Sequence, residues 1–224
     1  MKLTRKTFSS LLSHRALARY LGLPIVLWFL SGIVMVFISY PRLDSSQRVE
    51  FSGSLESSSQ IPSGLEGSFS LESVLGRPRV KIAKKMVEPA VTSRAEIEQR
   101  LAALGKSEFK FLENIERDQW TVQGRYNRHR PFLVFENNEA KKLYISSKTG
   151  ELVLVTSLFE RATNYLGTVI HWIYFPAIRS HPALWGDVII YLSMFAFFMT
   201  MGGFYKGVGG KEAAKYTGDR KSVV

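Results

Sequence analysis

Four histidines, His14, His129, His171 and His181, are the side chains of this chain best suited to acid–base or metal chemistry. An imidazole exchanges a proton near neutral pH and can ligate a metal. None of the four stands in a motif that fixes such a role. There is no HExxH pair, no phosphate-binding loop and no nucleophile elbow. Cysteine is absent, which removes disulfides, thiolate metal sites, iron–sulfur clusters and a cysteine nucleophile. No metal site and no convergent catalytic set emerges, so the residues point to binding rather than to catalysis. Arg125, Arg128, His129 and Arg130 crowd into one six-residue run around Tyr126 and Asn127. A basic loop tip of this kind suits anionic headgroups or an acidic partner. Trp120, in Asp118-Gln119-Trp120-Thr121-Val122, is a candidate ligand platform.

Two apolar runs must hold these residues at a membrane. Leu21 to Ile38 carries no charge, with Arg19 before it and Arg42 after it. At about 1.5 Å per residue it crosses a hydrocarbon layer of about 30 Å. Ser39-Tyr40-Pro41 is a poor cleavage site, which favours an uncleaved anchor over a signal peptide. Val188 to Tyr205 is the second run, with Trp185 and Asp187 at its start and Lys206 at its end. Of 30 Lys and Arg and 19 Asp and Glu, residues 1–19 take five cations and the tail at 206–224 takes five cations and two acids. That leaves 20 against 17 between them, so the net charge of +11 belongs mostly to the ends. Both ends are therefore expected in the cytoplasm, with transmembrane helices at 20–40 and 183–205. With no groove-reading motif present, no nucleic-acid partner is expected.

Residues 41–157 are expected to form the extramembrane domain. Ser52 to Ser70, rich in Ser and Gly, reads as a linker. Ser70 is expected to cap a short helix to Leu75, followed by a strand from Arg79 to Val87. Thr92 to Leu104 reads as a helix capped by Thr92 or Ser93, with Ile97, Leu101 and Leu104 inward and Gly105 as its stop. Strands are expected at Phe109–Phe111 and beyond, Asp118–Val122, Pro131–Phe135, Lys142–Ser146 and Glu151–Thr156. Lys148-Thr149-Gly150 forms the last tight turn. One helix followed by antiparallel strands predicts an α+β layer, with the helix covering one sheet face.

Between domain and second span, Leu158–Phe175 reads as an amphipathic helix ended by Pro176, with residues 158–182 lying along the outer membrane face. Leu158, Ala162, Tyr165, Val169 and Ile173 form its apolar stripe. Glu160, Asn164, Thr168 and His171 face water or the domain. Asn164 and Trp172 join Trp120 and the basic run as candidate partner contacts. Ser31-Gly32 in the first run and Gly203 with Gly207 in the second are small enough to let helices approach closely.

DQWTV, RPFLVF and KKLYISSKTGELV resemble a PepSY module, a helix-on-sheet domain. LWFLSGIVMVFISYPRL and FERATNYLGTVIHWIYFPAIRSHPALWGDVI resemble the first span of PepSY-associated membrane proteins and the stretch that leads into their next one. The resemblance covers about Arg15 to Tyr205. It implies a PepSY-like α+β domain on the periplasmic side of a bacterial inner membrane, carried by two transmembrane helices and one interfacial helix. Its expected role is to bind or regulate an envelope partner without catalysis, and no cofactor is expected. Some relatives resemble siderophore-iron reductases, which implies haem b as the alternative cofactor, with His171 and His181 as candidate ligands. Two imidazoles must face one iron. A His14–His171 pair would have to meet across a bilayer, so a homodimer pairing two His171 rings, or a second membrane protein, would complete the site. The further spans and histidines of the long relatives are not in this sequence.

Overall fold

The computed structural model describes residues 14–53, 68–82, 85–86 and 93–219. The basic run at 1–13, most of the Ser- and Gly-rich stretch, Thr92, Val87 and the last residues of the tail lie outside them. The chain divides into two compact units. One runs from Ser31 to Pro176, and the other holds the described residues on either side of it.

The flanking unit is helical. It contains the first part of α1 (His14–Phe37) and α5 (Pro182–Asp219). Among the described residues, Pro182–Phe204 is one helix long and apolar enough to cross a membrane, 23 residues with a mean hydropathy of 1.6 over an 18-residue window. The apolar stretch in α1, Gly22–Phe37, is shorter.

The central unit is α+β. A capping box starts α2 (Ser45–Ser52). The Asp44 carboxylate accepts from the Gln47 N–H at 2.8 Å while the Gln47 side chain accepts from the Asp44 N–H. An antiparallel sheet follows, in the order β1 (Phe69–Val74), β2 (Arg77–Ile82), β3 (Lys85–Met86). Ser93 then caps α3 (Arg94–Ala103) by accepting from the Glu96 N–H. The second sheet is a meander of β4 (Lys110–Ile115), β5 (Phe132–Glu136), β6 (Lys142–Ser146) and β7 (Leu152–Thr156). A helix and then an antiparallel meander thus occurs twice in succession.

Both helices lie on one face of the second sheet. Phe51 of α2 and Ile97 and Leu101 of α3 share a core with Leu133, Phe135, Leu143 and Ile145. Glu50 ties the helices to the sheet by accepting from Lys106 and Lys141, each at 3.1 Å. The same two ammonium groups lie 5.3 Å from the centre of the Phe51 ring. The other sheet face is also buried, beneath the loop and 3₁₀ turn at 118–130. Tyr126 stacks edge-on against Phe132, and the Tyr144 hydroxyl donates to Asp118 at 2.7 Å. Burial on both faces leaves β5 and β6 almost without polar alternation.

The single strand expected over Arg79–Val87 is instead two strands, Arg77–Ile82 and Lys85–Met86, paired antiparallel, and three further expectations need correction. Ser70–Leu75 is no helix. Phe69–Val74 is a strand, paired from Phe69↔Ile82 to Val74↔Arg77 through a two-residue turn. Leu75 and Gly76 both take positive φ there, 50° and 73°, the geometry such a turn requires. Leu75 adopts it at about 1–2 kcal/mol, and complete burial of its side chain offsets that cost. Asp118–Val122 is no strand. The Asp118 carboxylate accepts from the N–H groups of Trp120 and Thr121 and from the Thr121 hydroxyl, closing a turn instead.

The third correction concerns the segment after β7. Ser157 caps α4 (Leu158–Asn164), which widens into a π turn at Tyr165–Val169 and ends well before Pro176. The Tyr174 N–H reaches the Val169 carbonyl and the Ile173 N–H the Ile170 carbonyl, a Schellman closure with Ile173 at φ 53°. The inward face is the polar one. Asn164, Gly167, Thr168 and Val169 are buried, while Leu158, Phe159, Tyr165, Leu166 and Ile170 are exposed. Val169, expected on the apolar outer stripe, is wholly buried. This element crosses the Ser31–Phe37 part of α1. His171 Nδ1 lies 3.3 Å from Ser31 Oγ, and Asn164 donates to the Ser39 carbonyl at 3.1 Å. A side-chain carbon on Gly32 would lie 2.9 Å from the His171 ring, and one on Gly167 would lie 3.1 Å from Val34.

The crossing predicts that Gly32→Leu destabilises the chain by about 1–3 kcal/mol through overpacking. His171→Ala should recover part of the loss. Thermal unfolding in detergent checks both, and a double variant no more stable than Gly32→Leu would acquit the ring. Glu50 makes a pH-dependent prediction. Its partial burial opposes ionisation, but the hydrogen bonds from Lys106 and Lys141 prevail and hold its carboxyl below the usual range. A depressed carboxyl stabilises the fold above its unfolded pKa, and that contribution vanishes as pH falls through the folded one. Glu50→Gln should therefore melt lower than the parent near neutral pH, with the gap closing in acid. A gap independent of pH would assign the effect to packing alone.

Candidate functional site

A cleft of about 750 Å³ opens in the central unit. Its first wall is the entry to α2 and the exposed face of that helix, with Arg42, Leu43, Arg48 and Val49. The capping box at Asp44 decides where this helix starts and so which side chains it turns to the cleft. The opposite wall is the 3₁₀ turn Gly124–His129, which contributes Arg125, Tyr126, Arg128 and His129. Between them lie the end of β1, with Glu72, Ser73 and Val74, and the start of β7, with Glu151, Leu152 and Val153. β1 and β7 are both edge strands of their sheets.

The walls are fixed from behind. The Ser52 carbonyl accepts from the Gly76 N–H at 2.8 Å and from the Ser73 hydroxyl, which ties the β1–β2 hairpin to the end of α2. The Arg125 guanidinium stacks 4.7 Å from the centre of the Tyr126 ring and donates to its hydroxyl at 2.8 Å. Burial pushes the Tyr126 phenol up, the neighbouring Arg125 opposes that push, and the group stays protonated. Arg128 Nε donates to His129 Nε2 at 2.9 Å. A guanidinium can only donate, so Nε2 accepts and the ring proton sits on Nδ1, 3.4 Å from the Glu151 carboxylate. Glu151 and His129 thereby hold Arg128 in place. Among the described residues none of Arg42, Arg48, Arg125 and Arg128 forms an ion pair, and the cleft presents four guanidinium groups against two carboxylates.

Three of the residues singled out in the sequence, Arg125, Arg128 and His129, meet in this cleft. Arg130 does not. It turns inward, donating to the Thr121 carbonyl at 2.7 Å and to Asn127, and braces the 3₁₀ turn. Trp120 is buried between Tyr40 and Tyr165, with ring centres 5.9 and 5.3 Å away, and is a packing residue rather than a platform. Asn164 is buried at the α1 crossing, and Trp172 lies half-exposed beside Tyr174. His171 lies against Ser31 and Gly32, whereas His129 sits in the cleft, so the two histidines of the central unit occupy different surroundings. His181 belongs to the flanking unit, where its Nδ1 lies 3.1 Å from the Ser180 hydroxyl and 3.3 Å from the Ala177 carbonyl. Among the described residues no group of three or more His, Asp or Glu side chains is placed to hold a metal.

Arg42, Arg48, Glu72 and Glu151 were not identifiable as site residues beforehand. The signal for Arg48 was the Asp44-x-x-Gln47 capping box, which announces a helix and puts Arg48 on its outer face. No family model, no curated protein and no solved structure matches the chain.

The two kinds of arginine should separate in a stability measurement. Arg130→Ala leaves the buried Thr121 carbonyl without its donor and should cost about 1–3 kcal/mol. Arg48→Ala removes an exposed side chain and should stay within about 0.5 kcal/mol of the parent. Equal losses in thermal unfolding would contradict this placement.

Proposed function

We propose that the chain is a membrane-anchored, non-enzymatic binding module of the PepSY-like kind, whose central unit offers its basic cleft to an envelope partner. In this reading 20–40 and 183–205 both span a bacterial inner membrane, both ends are cytoplasmic and the central unit stands in the periplasm. The apolar length of Pro182–Phe204 supports an anchor. So do the exposed Phe37, Phe159, Leu166 and Trp172 of the central unit, which suit a membrane boundary. The observation that carries the binding role is the cleft. Four arginines line it without an ion pair among the described residues, whereas several cations elsewhere in the unit are matched, Arg77 and Arg100 with Glu96 and Arg94 with Glu98.

A photo-crosslinking side chain at Val49, which is 74% exposed on the cleft wall, tests the reading in cells. It should give discrete adducts that Arg48→Glu abolishes, in a protein that resists carbonate extraction from the membrane. Reporter fusions after Arg130 and after Val224 should report outside and inside respectively. Adducts unaffected by Arg48→Glu, or an outside signal from the Val224 fusion, would overturn it.

A further inference from the structure

Resting on that reading, we infer that the ligand of the cleft is an extended, acidic peptide segment that lies along the start of β7. Three features of the cleft select this chemistry over a compact anion. Its cations are divided between two walls, with Arg42 and Arg48 on one and Arg125 and Arg128 on the other. Leu43, Val49, Val74 and Leu152 lie among them, so the cleft combines charged with apolar lining. A segment built of paired acidic and paired apolar residues presents both kinds of side chain to both walls, because successive side chains of a strand point to opposite sides. The third feature is the backbone. Tyr144 pairs with Leu154 and Ile145 with Leu152, so Val153 is the extra residue of a β-bulge. The extra residue of a bulge is left unpaired by the neighbouring strand. Val153 belongs to β7, the edge strand of its sheet, and lines the cleft, so an added strand can pair along that outer edge beside the bulge. Glu72 and Glu151 repel a uniformly acidic ligand at two points, which restricts where its carboxylates fall along the cleft.

The full chain in detergent micelles can be titrated with a fluorescein-labelled peptide of about eight residues alternating Glu-Glu with Val-Val pairs. Saturable binding is expected that weakens with added salt, with no binding of the counterpart that carries Lys in place of each Glu. Arg48→Glu combined with Arg125→Glu should weaken binding about tenfold or more. Should that variant melt early, Arg48→Gln with Arg125→Gln serves instead and should weaken binding in the same direction. N-methylation of alternate peptide amides should also weaken it, as strand addition requires. Displacement of the peptide by inorganic phosphate at equal concentration would overturn the proposal in favour of a small-anion site. Displacement by phosphatidylglycerol vesicles would overturn it in favour of a lipid surface. Unchanged binding of the N-methylated peptide would overturn the strand geometry. Failure of peptide binding with persistent, charge-dependent adducts at Val49 would defeat this inference while leaving the binding module standing, whereas loss of both would defeat both.

Discussion

The close crossing of α1 and the 158–171 element rests on two missing side chains. Gly32 admits the His171 ring and Gly167 admits Val34, so each element lodges a side chain in a gap of the other. At this separation the polar groups between the elements are removed from water and must find partners within the protein. Ser31 lies within reach of His171, and the Ser39 carbonyl accepts from Asn164. The π turn at Tyr165–Val169 shifts the helix register, so that Gly167, Thr168 and Val169 all come to face inward. The outward side is then left to Leu166 and Ile170, which are apolar. The same contact explains why an amphipathic pattern is read inside out here. The polar stripe is the adhesive side, and the apolar stripe is the one that meets the surroundings.

Burial on both faces of the four-stranded sheet has a related consequence. With α2 and α3 on one side and the 118–130 connection on the other, what the sheet leaves open beside the cleft is an edge. The first sheet likewise ends in a free edge at β1, and both edges reach the cleft. Natural sheets blunt such edges with bulges and charges. Here both devices are present, the bulge at Val153 and the arginines around it, in a form that discourages indiscriminate pairing yet leaves room for a ligand of opposite charge.

Elements governed by local chemistry were legible in the sequence. Ser93 with Glu96 announced α3, and Thr149-Gly150 between two apolar runs announced the β6–β7 hairpin, where Lys142–Ser146 is the strand expected. Local signals misled where a turn residue and a strand residue look alike. Ser70 resembled a cap, but the stretch that follows is committed to pairing with β2. Asp118 and Thr121 flank an apolar Trp120, and their side chains captured the backbone before a ladder could form. The basic run was recognisable as a site because its residues are adjacent in the chain, although Arg130 within it faces the interior. Arg42 and Arg48 are far from that run in sequence, so only the packing of α2 beside β1 and β7 places them opposite it.

Charge distribution gives the cleft its meaning. Bringing four guanidinium groups around one cavity is unfavourable for the free protein, because like charges repel more strongly where water is partly excluded. The unit does pair cations when folding alone is at stake, as Glu50 does for Lys106 and Lys141 and Glu96 for Arg77 and Arg100. Around the cleft one carboxylate, Glu151, is turned to a histidine, which in turn accepts from Arg128. That chain orients a cation without neutralising it. Arg125 is likewise aimed by a phenol and a carbonyl, Tyr126 and Pro41, both uncharged acceptors. Neutral positioning groups hold the direction of a charge and leave its field intact. Such an arrangement contributes little to folding, and in the proposed reading it serves the recognition of an acidic ligand.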